Sequence, residues 1–502
     1  MQKMANRNSI VLVTVDCLRA DHVGFMGYRR PTTPFLDSLA AQSFVFPAAI
    51  VAGAPTYYSF PAMMASRYPL ALGRSVLGLA PGEATLASVL KAAGYATAFL
   101  NAANPYVAAQ CGYESGFDTF RDFLDTEAAA STVSPSPAPN GNGWPSRFNR
   151  KLQSIRPRLG PLGAAYDELY FQYCQRWGAT EPDSLDSMRR FPAADVMVDS
   201  ALTWLQSIGQ RPFLLWLHLM DPHAPYYPKE KALELMGGSI VTPFRARYWN
   251  SYWNRSDLGV GRLSRHREHL IGLYDAGIRW VDEQMARFIA ALRDSGHWAD
   301  CIFALTADHG EEFLDHGGRF HPPSQLTEEL IHVPLLLRVP GAAKKDLPKS
   351  PFSMLHLAPT LLDAAGLAIP AAFRGRSLWQ EVREGTIREE TAISESVAGC
   401  TNPFRRDNRL GPRALAVRDA RYKLVLQFDP RADRLYDLEA DPGEQHPLPP
   451  AAEKPVRRRL LQCAREHLQN SIRERDVGLG LQARLRELRL EWARSSSECS
   501  RA

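Results

Sequence analysis

The chain has 502 residues, of which 45% are hydrophobic and 23% charged, and this composition is typical of a globular protein rather than a disordered one. The formal net charge is +5, from 59 basic and 54 acidic residues, and the only notable basic run is Arg457, Arg458 and Arg459. Such a balance predicts no nucleic acid as a partner, whereas an anionic small molecule or glycan is compatible with it.

The cysteines and the start of the chain bear on its compartment. Seven cysteines are scattered along the sequence without a CxxC pair, so neither a disulfide framework nor a structural zinc site is indicated. The first eight residues run directly into an apolar strand that is too short for a secretory segment or a membrane span. We therefore expect a cytoplasmic protein with no integral membrane segment.

The first hundred residues alternate between apolar strands and amphipathic helices. Ser9–Val15 is largely β-branched, which is typical of a strand buried on both faces of a parallel sheet. A cap residue followed by proline predicts a helix over residues 33–40, and a further helix over 85–93 precedes a strand at 95–100. This order favours a doubly wound α/β domain.

The rest of the chain suggests three regions. Residues 126–147 are rich in Ala, Ser, Pro, Gly and Asn and predict a loop, followed by a helical insertion to residue 190. Strand and helix patterns then resume at residues 195–207, 213–217, 269–294, 302–305, 333–339 and 357–365, and strand-like alternation returns at 413–428. We predict a catalytic α/β domain at 1–380 (insertion 126–190), a subdomain with a small antiparallel sheet at 381–450, and a basic helical tail at 451–502.

Three predicted strands end in groups that can bind a cation. They lead into Asp16, into His218 with His223, and into Asp308 with His309. The carboxyl ends of parallel strands meet at one edge of a sheet, so these side chains are expected to converge. Two carboxylates and one imidazole suit a divalent cation, although each residue alone is also compatible with a helix cap or a polar loop.

Five segments, in order, resemble the sulfatase family of the alkaline phosphatase superfamily. They are IVLVTVDCLRADHVGFMGY, LTADHGEEFLDHG, TEELIHVPLLLRVPG, LAPTLLDAAGL and RYKLVLQFDPRADRLYDLEADPGEQ. The resemblance implies an alkaline-phosphatase-like α/β core, with a central, mostly parallel sheet sandwiched by helices, and a small C-terminal α+β subdomain. It also implies that Asp16, Asp308 and His309 are metal ligands. Many members carry a second Asp after the first, but Cys17 stands there in this chain.

The nucleophile region departs from the family pattern. Sulfatases of the usual type carry Cys or Ser followed by x-Pro-x-Arg, which directs formation of formylglycine, and that motif is missing here. Counting back without gaps from Arg67-Tyr68-Pro69 places Thr56 at the nucleophile position, which would make it a metal ligand as well. Ser59 is the alternative, because Pro61 could open a helix whose N-terminus faces a bound anion; both hydroxyls could instead be helix caps.

Histidines and asparagines replace the cationic residues expected around the ester. The segment FLLWLHLMDPHAPYYP resembles the family strand that ends in Pro-His-x-Pro, which implies that His223 contacts the ester or protonates its leaving oxygen. His218 is predicted to assist in substrate binding, or to form a second metal site with Asp221. Asn104 and His321 stand near positions where the family has lysines, and we predict that both bind substrate.

Together these patterns predict a metal-dependent hydrolase of sulfate or phosphate esters that uses a hydroxyl nucleophile and a covalent intermediate. A phosphodiesterase or a transferase to an acceptor hydroxyl is the closest alternative, because the positive field expected around a sulfate is weakened. A non-catalytic, metal-containing glycan-binding protein is the alternative from another class. The expected cofactor is Ca²⁺, Mn²⁺, Mg²⁺ or Zn²⁺, the expected partner is a small-molecule or glycan ester, and the tail is compatible with a homo-oligomer.

Overall fold

A seven-stranded sheet lies at the centre of the computed structural model, which describes residues 8–124, 161–176, 183–237, 241–323, 325–428, 431–473 and 477–499. In spatial order its strands are β2 (Phe44–Val45), β11 (Leu335–Arg338), β7 (Cys301–Ala307), β1 (Ser9–Val15), β6 (Phe213–Leu219), β4 (Ala96–Asn101) and β5 (Thr119–Arg121). The strands from β7 to β5 are parallel, and β11 runs antiparallel to both β7 and β2.

Three smaller sheets contain the remaining described strands. One contains β3 (Ala49–Ile50), β10 (His332–Val333) and β12 (Phe352–Ser353), and a two-stranded one contains β8 (Glu312–Phe313) and β9 (Arg319–Phe320). The third is antiparallel, with β13 (Ala392–Val397), β14 (Arg413–Arg418), β15 (Tyr422–Phe428) and β16 (Arg431–Asp437). This last sheet agrees with the alternation predicted for residues 413–428.

The α-helices account for most of the other ordered segments. They span Pro34–Ala40, Thr56–Ala65, Leu86–Ala92, Pro161–Arg176, Ala194–Ile208, Glu230–Leu235, Pro243–Trp253, Val260–Leu263, Arg267–Asp294, Glu328–Ile331, Leu357–Ala364, Trp379–Glu384, Lys454–Arg473 and Val477–Cys499. Every residue of β1, β6 and β7 is buried, so both faces of the central sheet are covered. The predicted α/β class is thereby confirmed.

The predicted strand over residues 333–339 is wrong in one respect. The structure divides it between β10 and β11, which belong to different sheets, with Pro334 between them. Proline has no backbone N–H to donate to a strand ladder, so continuous pairing stops there. The predicted loop at 126–147 lies outside the described residues, and of the helical insertion the helix Pro161–Arg176 is described.

The C-terminal helices pack on the rest of the same chain. Leu460 and Ala464 of Lys454–Arg473 join the apolar face of the antiparallel sheet. Ala483 of Val477–Cys499 packs near Leu72, and Glu487 accepts a hydrogen bond from the backbone of Leu77 at 3.0 Å. The helices Lys454–Arg473 and Val477–Cys499 lie within the predicted tail, whereas the division of the chain at residues 380 and 450 stays a prediction. Among the described helices, none has the length and apolar character of a membrane span.

Candidate metal and ester site

The register of the central sheet brings three strand ends to the same level. Thr14 of β1 pairs with His218 of β6 on one side and with Thr306 of β7 on the other. Asp16 and Asp308 therefore both project just beyond the carboxyl edge of the sheet. Ligand atoms of Asp16, Asp308 and His309 lie within 4.8 Å of one another, and all three residues are buried. The structure thus brings together the residues predicted to hold a metal.

Asp16 is surrounded by nitrogen-bearing side chains. Its Oδ2 accepts a hydrogen bond from Asn104 Nδ2 at 2.7 Å and lies 3.4 Å from His218 Nε2, while its Oδ1 lies 3.8 Å from His309 Nε2. Burial alone would raise the pKa of the Asp16 carboxyl, but His223 and the other two imidazoles hold this pKa well below its ordinary value. The carboxylate is consequently ionised and able to bind a cation.

The backbone fixes the orientation of Asp308 and His309. The N–H groups of Cys17 and His309 donate to Asp308 Oδ1, at 3.3 and 2.9 Å. His309 Nδ1 lies 2.7 Å from the carbonyl oxygen of Gly310, which can only accept, so the proton is on Nδ1. His309 Nε2 therefore faces the two carboxylates and is the ring nitrogen left to bind a cation.

A divalent cation fits this arrangement. Asp308 Oδ2 is buried and accepts no hydrogen bond from the described part of the chain. Burial, and then the neighbouring Asp16 carboxylate, raise the pKa of Asp308, as expected for two acids placed side by side without a compensating positive charge. A cation held by Asp16, Asp308 and His309 would supply that charge and satisfy the free oxygen.

Thr56 supplies a hydroxyl beside the predicted metal ligands Asp16 and His309. It is the first residue of the helix Thr56–Ala65, and its Oγ1 lies 3.1 Å from His309 Nε2 and 3.5 Å from Asp16 Oδ2. This position corresponds to the one that the gap-free alignment favours. Placing Thr56 at a helix start also leaves its side chain facing the edge of the sheet, where an ester would meet the cation.

Ser59 has a different environment from the predicted one. The expectation that Pro61 opens the helix is wrong, because the helix already begins at Thr56 and Pro61 lies inside it. Ser59 is therefore in the second half of the first turn, fully buried, and its Oγ donates to the Thr56 carbonyl oxygen at 3.3 Å. This contact within the helix favours a structural role for Ser59 over the nucleophilic one.

His223 and His321 line the outer side of the site. Their ring centroids are 5.4 Å apart, and that of His321 is 4.7 Å from that of His309. Burial lowers the pKa of His223. Burial also acts to lower the pKa of His321, but Glu311 beside it raises this pKa above its ordinary value. Two imidazoles with opposite shifts thus face the same space.

His218 and Asn104 lie behind Asp16. His218 is fully buried in β6, with Nδ1 3.0 Å from Thr14 Oγ1 and Nε2 3.3 Å from Asn104 Nδ2. Asn104 donates from Nδ2 to Asp16, and its Oδ1 accepts from the backbone N–H of Tyr106 at 2.9 Å. The geometry therefore favours positioning of the Asp16 carboxylate over the predicted substrate contact for both residues. A second metal site with Asp221 is not favoured, since among the described residues no group of possible ligand atoms includes Asp221, which accepts from Arg189 at 2.8 Å.

We expect Asn104→Ala to weaken binding of the divalent cation about 10- to 100-fold, the usual cost of losing a group that orients a metal ligand. The reason is that Asp16 Oδ2 loses its shortest hydrogen bond from a side chain. Isothermal titration of the metal-free protein with each candidate cation measures the effect. Asn254→Ala removes an exposed asparagine at a helix end and serves as the matched control. Unchanged affinity in Asn104→Ala would contradict the positioning role.

Sequence reasoning missed the part played by Glu311. This residue is fully buried, and its Oε1 lies 3.6 Å from His321 Nδ1. The only signal in the sequence was its place directly after Asp308-His309-Gly310. Arg19, also missed, fixes the same loop, because its Nη1 donates to the Glu311 carbonyl oxygen at 3.0 Å and to Asp315 at 2.9 Å.

The fold and the strand-end acid and histidine group define an alkaline-phosphatase-like α/β protein. The chain belongs to the sulfatase family, because the family model described as Sulfatase matches residues 8–367. A second model, described as N-sulphoglucosamine sulphohydrolase, C-terminal, matches residues 319–470. The predicted family is thereby confirmed, and so is the predicted fold class.

Individual proteins agree with this assignment. Arylsulfatase K of Bos taurus is 26% identical over 275 residues, a match that spans 49% of this chain and 50% of that relative. An arylsulfatase of Clostridium perfringens is 23% identical over 464 residues, or 87% of this chain and 89% of the relative. The solved phosphonate monoester hydrolase of Silicibacter pomeroyi superposes with a TM-score of 0.63 at 20% identity, covering 94% of this chain and 97% of its own. The last likeness establishes the fold.

Proposed function

We propose that this protein is a metal-dependent hydrolase of sulfate or phosphate esters that uses the Thr56 hydroxyl as its nucleophile. The observation that carries the proposal is the position of Thr56 Oγ1, 3.1 Å from His309 Nε2 and 3.5 Å from Asp16 Oδ2. The hydroxyl thus lies against the same atoms that would hold the cation. Membership of the sulfatase family supports the ester class.

In the proposed reaction, the Thr56 hydroxyl gives its proton to solvent, Oγ1 forms a bond to the sulfur or phosphorus of the ester, and the bond to the leaving oxygen breaks. The divalent cation, when bound, lowers the pKa of the hydroxyl and neutralises charge on the transferring group. We assign to His223, which faces His321 across the same space, the transfer of a proton to the leaving oxygen. Water then attacks the Thr56 ester, restoring the hydroxyl and releasing sulfate or phosphate.

A phosphate ester, in particular a phosphodiester, is the second candidate substrate. Threonine cannot be converted to formylglycine, and Tyr58 and Phe60 stand where the usual motif has its proline and arginine. An unmodified hydroxyl can attack phosphorus directly when a metal activates it. If the Thr56 intermediate passes to an acceptor hydroxyl instead of water, the same chemistry becomes group transfer.

Aromatic side chains next to Thr56 suggest where the organic part of an ester binds. The ring of Tyr57 lies 5.2 Å from that of Tyr106, which stacks at 5.3 Å on Phe404. The Tyr57 hydroxyl donates to the carbonyl oxygen of Cys400, so a loop of the C-terminal region holds this wall in place. We propose that the wall contacts an apolar or sugar ring of the ester.

The experiment that tests the proposal compares three esters under defined metal conditions. The protein is loaded with Ca²⁺, Mn²⁺, Mg²⁺ or Zn²⁺ and incubated with an aryl sulfate, an aryl phosphate monoester and an aryl phosphodiester. We expect turnover of at least one ester, its loss after chelation and its return on adding the metal, because the nucleophile depends on the cation. Preference for the diester would favour the second candidate.

One outcome would favour a binding protein over an enzyme. If the protein binds metal but turns over none of the three esters, and its intact mass shows no covalent adduct, the non-catalytic glycan-binding alternative becomes the better interpretation. A binding protein would retain a sulfated or phosphorylated glycan unchanged, which is measured by recovering the ligand intact after incubation.

A further inference from the structure

Cys17 occupies a position in the site that the proposed reaction does not use. It follows Asp16 at the end of β1 and is fully buried, with a left-handed backbone φ of 60°. A positive φ is uncommon for a residue with a side chain, and here it accompanies a side chain directed into the site. The Sγ lies 2.9 Å from Asp16 Oδ1 and 3.5 Å from His321 Nδ1.

The sulfur lies between the two halves of the site. Cys17, His309 and His321 have ligand atoms that lie within 4.8 Å of one another, and so do Asp16, Cys17 and His223. Cys17 therefore belongs to two candidate ligand groups that overlap the group formed by Asp16, Asp308 and His309. Asp308 Oδ2 is buried, lies 3.5 Å from His309 Nε2 and accepts no hydrogen bond from the described residues, which independently indicates that a positive charge is missing from this cluster.

The chemistry of these donors selects among cations. The cluster offers two carboxylates, three imidazoles and one sulfur: Asp16, Asp308, His223, His309, His321 and Cys17. Calcium and magnesium prefer six or more oxygen ligands, whereas imidazole and thiolate ligands suit zinc and similar transition metals. Nitrogen and sulfur donors outnumber the carboxylates in this set, which is therefore poorly suited to calcium.

We infer that Cys17 Sγ is a ligand of the cation centre, and that this sulfur makes the centre select Zn²⁺ or a similar thiophilic cation over Ca²⁺ and Mg²⁺. The inference rests on the cation required by the proposed function. To hold a cation, the Cys17 thiol would give its proton to solvent, and Sγ would no longer donate a hydrogen bond to Asp16 Oδ1. Cys17 thus supplies a soft sulfur ligand in place of a hard oxygen ligand.

The test uses Co²⁺ as a spectroscopic substitute for Zn²⁺ in the 502-residue chain. We expect the wild type to show visible d–d bands together with an intense near-ultraviolet sulfur-to-cobalt charge-transfer band. Cys17→Ser and Cys17→Ala should keep d–d bands and lose the charge-transfer band. Cys301→Ala removes another buried cysteine, at the far end of β7 from Asp308, and should retain both.

Metal affinities give a second readout that does not depend on activity. By titration calorimetry we expect Cys17→Ser to lower Zn²⁺ affinity at least about 10-fold, with a change in Ca²⁺ affinity of less than about 3-fold. Cys17→Asp replaces sulfur with oxygen and should move preference toward Ca²⁺ and Mg²⁺. The Asp variant keeps the test decisive if the smaller side chains prevent folding, which circular dichroism reports.

The outcomes separate this inference from the proposed function. Cobalt d–d bands without a charge-transfer band in the wild type would overturn the sulfur ligand and leave the metal-dependent reaction in place. No cobalt, zinc or calcium binding at all would overturn both. A charge-transfer band that persists in Cys17→Ser would also overturn the inference, because another cysteine would then be the ligand.

Discussion

Thr56→Ala is expected to lower kcat/KM for the cleaved ester by a factor on the order of 10⁴ or more, the scale seen when a covalent nucleophile is removed. The substitution takes away the hydroxyl that lies 3.1 Å from His309 Nε2, and no other described hydroxyl contacts both Asp16 and His309. Steady-state cleavage of the three aryl esters measures the loss. Intact-protein mass after rapid quenching should show an adduct in the wild type and none in Thr56→Ala.

Ser59→Ala is the matched comparison for this variant. It deletes one hydroxyl from the same helix, three residues away, which donates a hydrogen bond to the Thr56 carbonyl oxygen. Because that contact lies within the helix, we expect activity within about 3-fold of wild type and a free energy of unfolding lower by about 1 kcal/mol. The reverse pattern, with activity lost in Ser59→Ala and kept in Thr56→Ala, would reassign the nucleophile to Ser59.

Asp308→Ala is expected to weaken cation binding at least 100-fold and to reduce ester cleavage by a factor on the order of 10⁴. A direct ligand should matter at least as much as the groups that orient ligands. Asp308 offers an oxygen that has no hydrogen-bond partner among the described residues. Metal content after dialysis and titration calorimetry measure cation binding, and rates at saturating ester measure cleavage. Full metal binding together with full cleavage would refute the assignment of Asp308.

Thermal unfolding adds a signature that distinguishes a metal ligand from a merely structural residue. Burial and the adjacent Asp16 raise the pKa of Asp308, so this carboxyl is unfavourable in the metal-free protein. Metal-free Asp308→Asn should therefore unfold at a temperature no lower than metal-free wild type. Added cation should raise the Tm of the wild type but not that of the variant, because a ligand stabilises only the state that binds it. Asp346→Asn, at an exposed position, should respond to the cation like wild type.

Cys17 and Glu311 both lie close to His321, an arrangement that the family motifs alone do not predict. Cys17 Sγ approaches His321 to 3.5 Å, and the buried Glu311 Oε1 approaches the same ring nitrogen to 3.6 Å. His321 is thus oriented from two sides. In the sequence, His321 stands only in the segment GRFHPPSQL, which does not indicate a contact with Cys17 or Glu311. These contacts could be recognised only in three dimensions.

The local sequence was sufficient to predict the central strands and the positions of two of the candidate metal ligands. β1, β6 and β7 are continuous apolar runs, and strands buried on both faces require such runs whatever lies around them. Because the carboxyl ends of parallel strands share an edge, the positions of Asp16 and Asp308 followed from strand ends alone. These features depend on periodicity and on a general rule of topology.

Only the tertiary structure decided which side chains contact one another in the site. The choice between Thr56 and Ser59 depends on where the helix begins, and Pro61 misled because a proline within the first turns of a helix resembles a proline that opens one. The contact of Asn104 with Asp16 and the approach of Cys17 to His321 join residues 88 and 304 positions apart. Local patterns specify burial and secondary structure, whereas the direction and partner of a polar side chain depend on elements that meet only after the chain has folded.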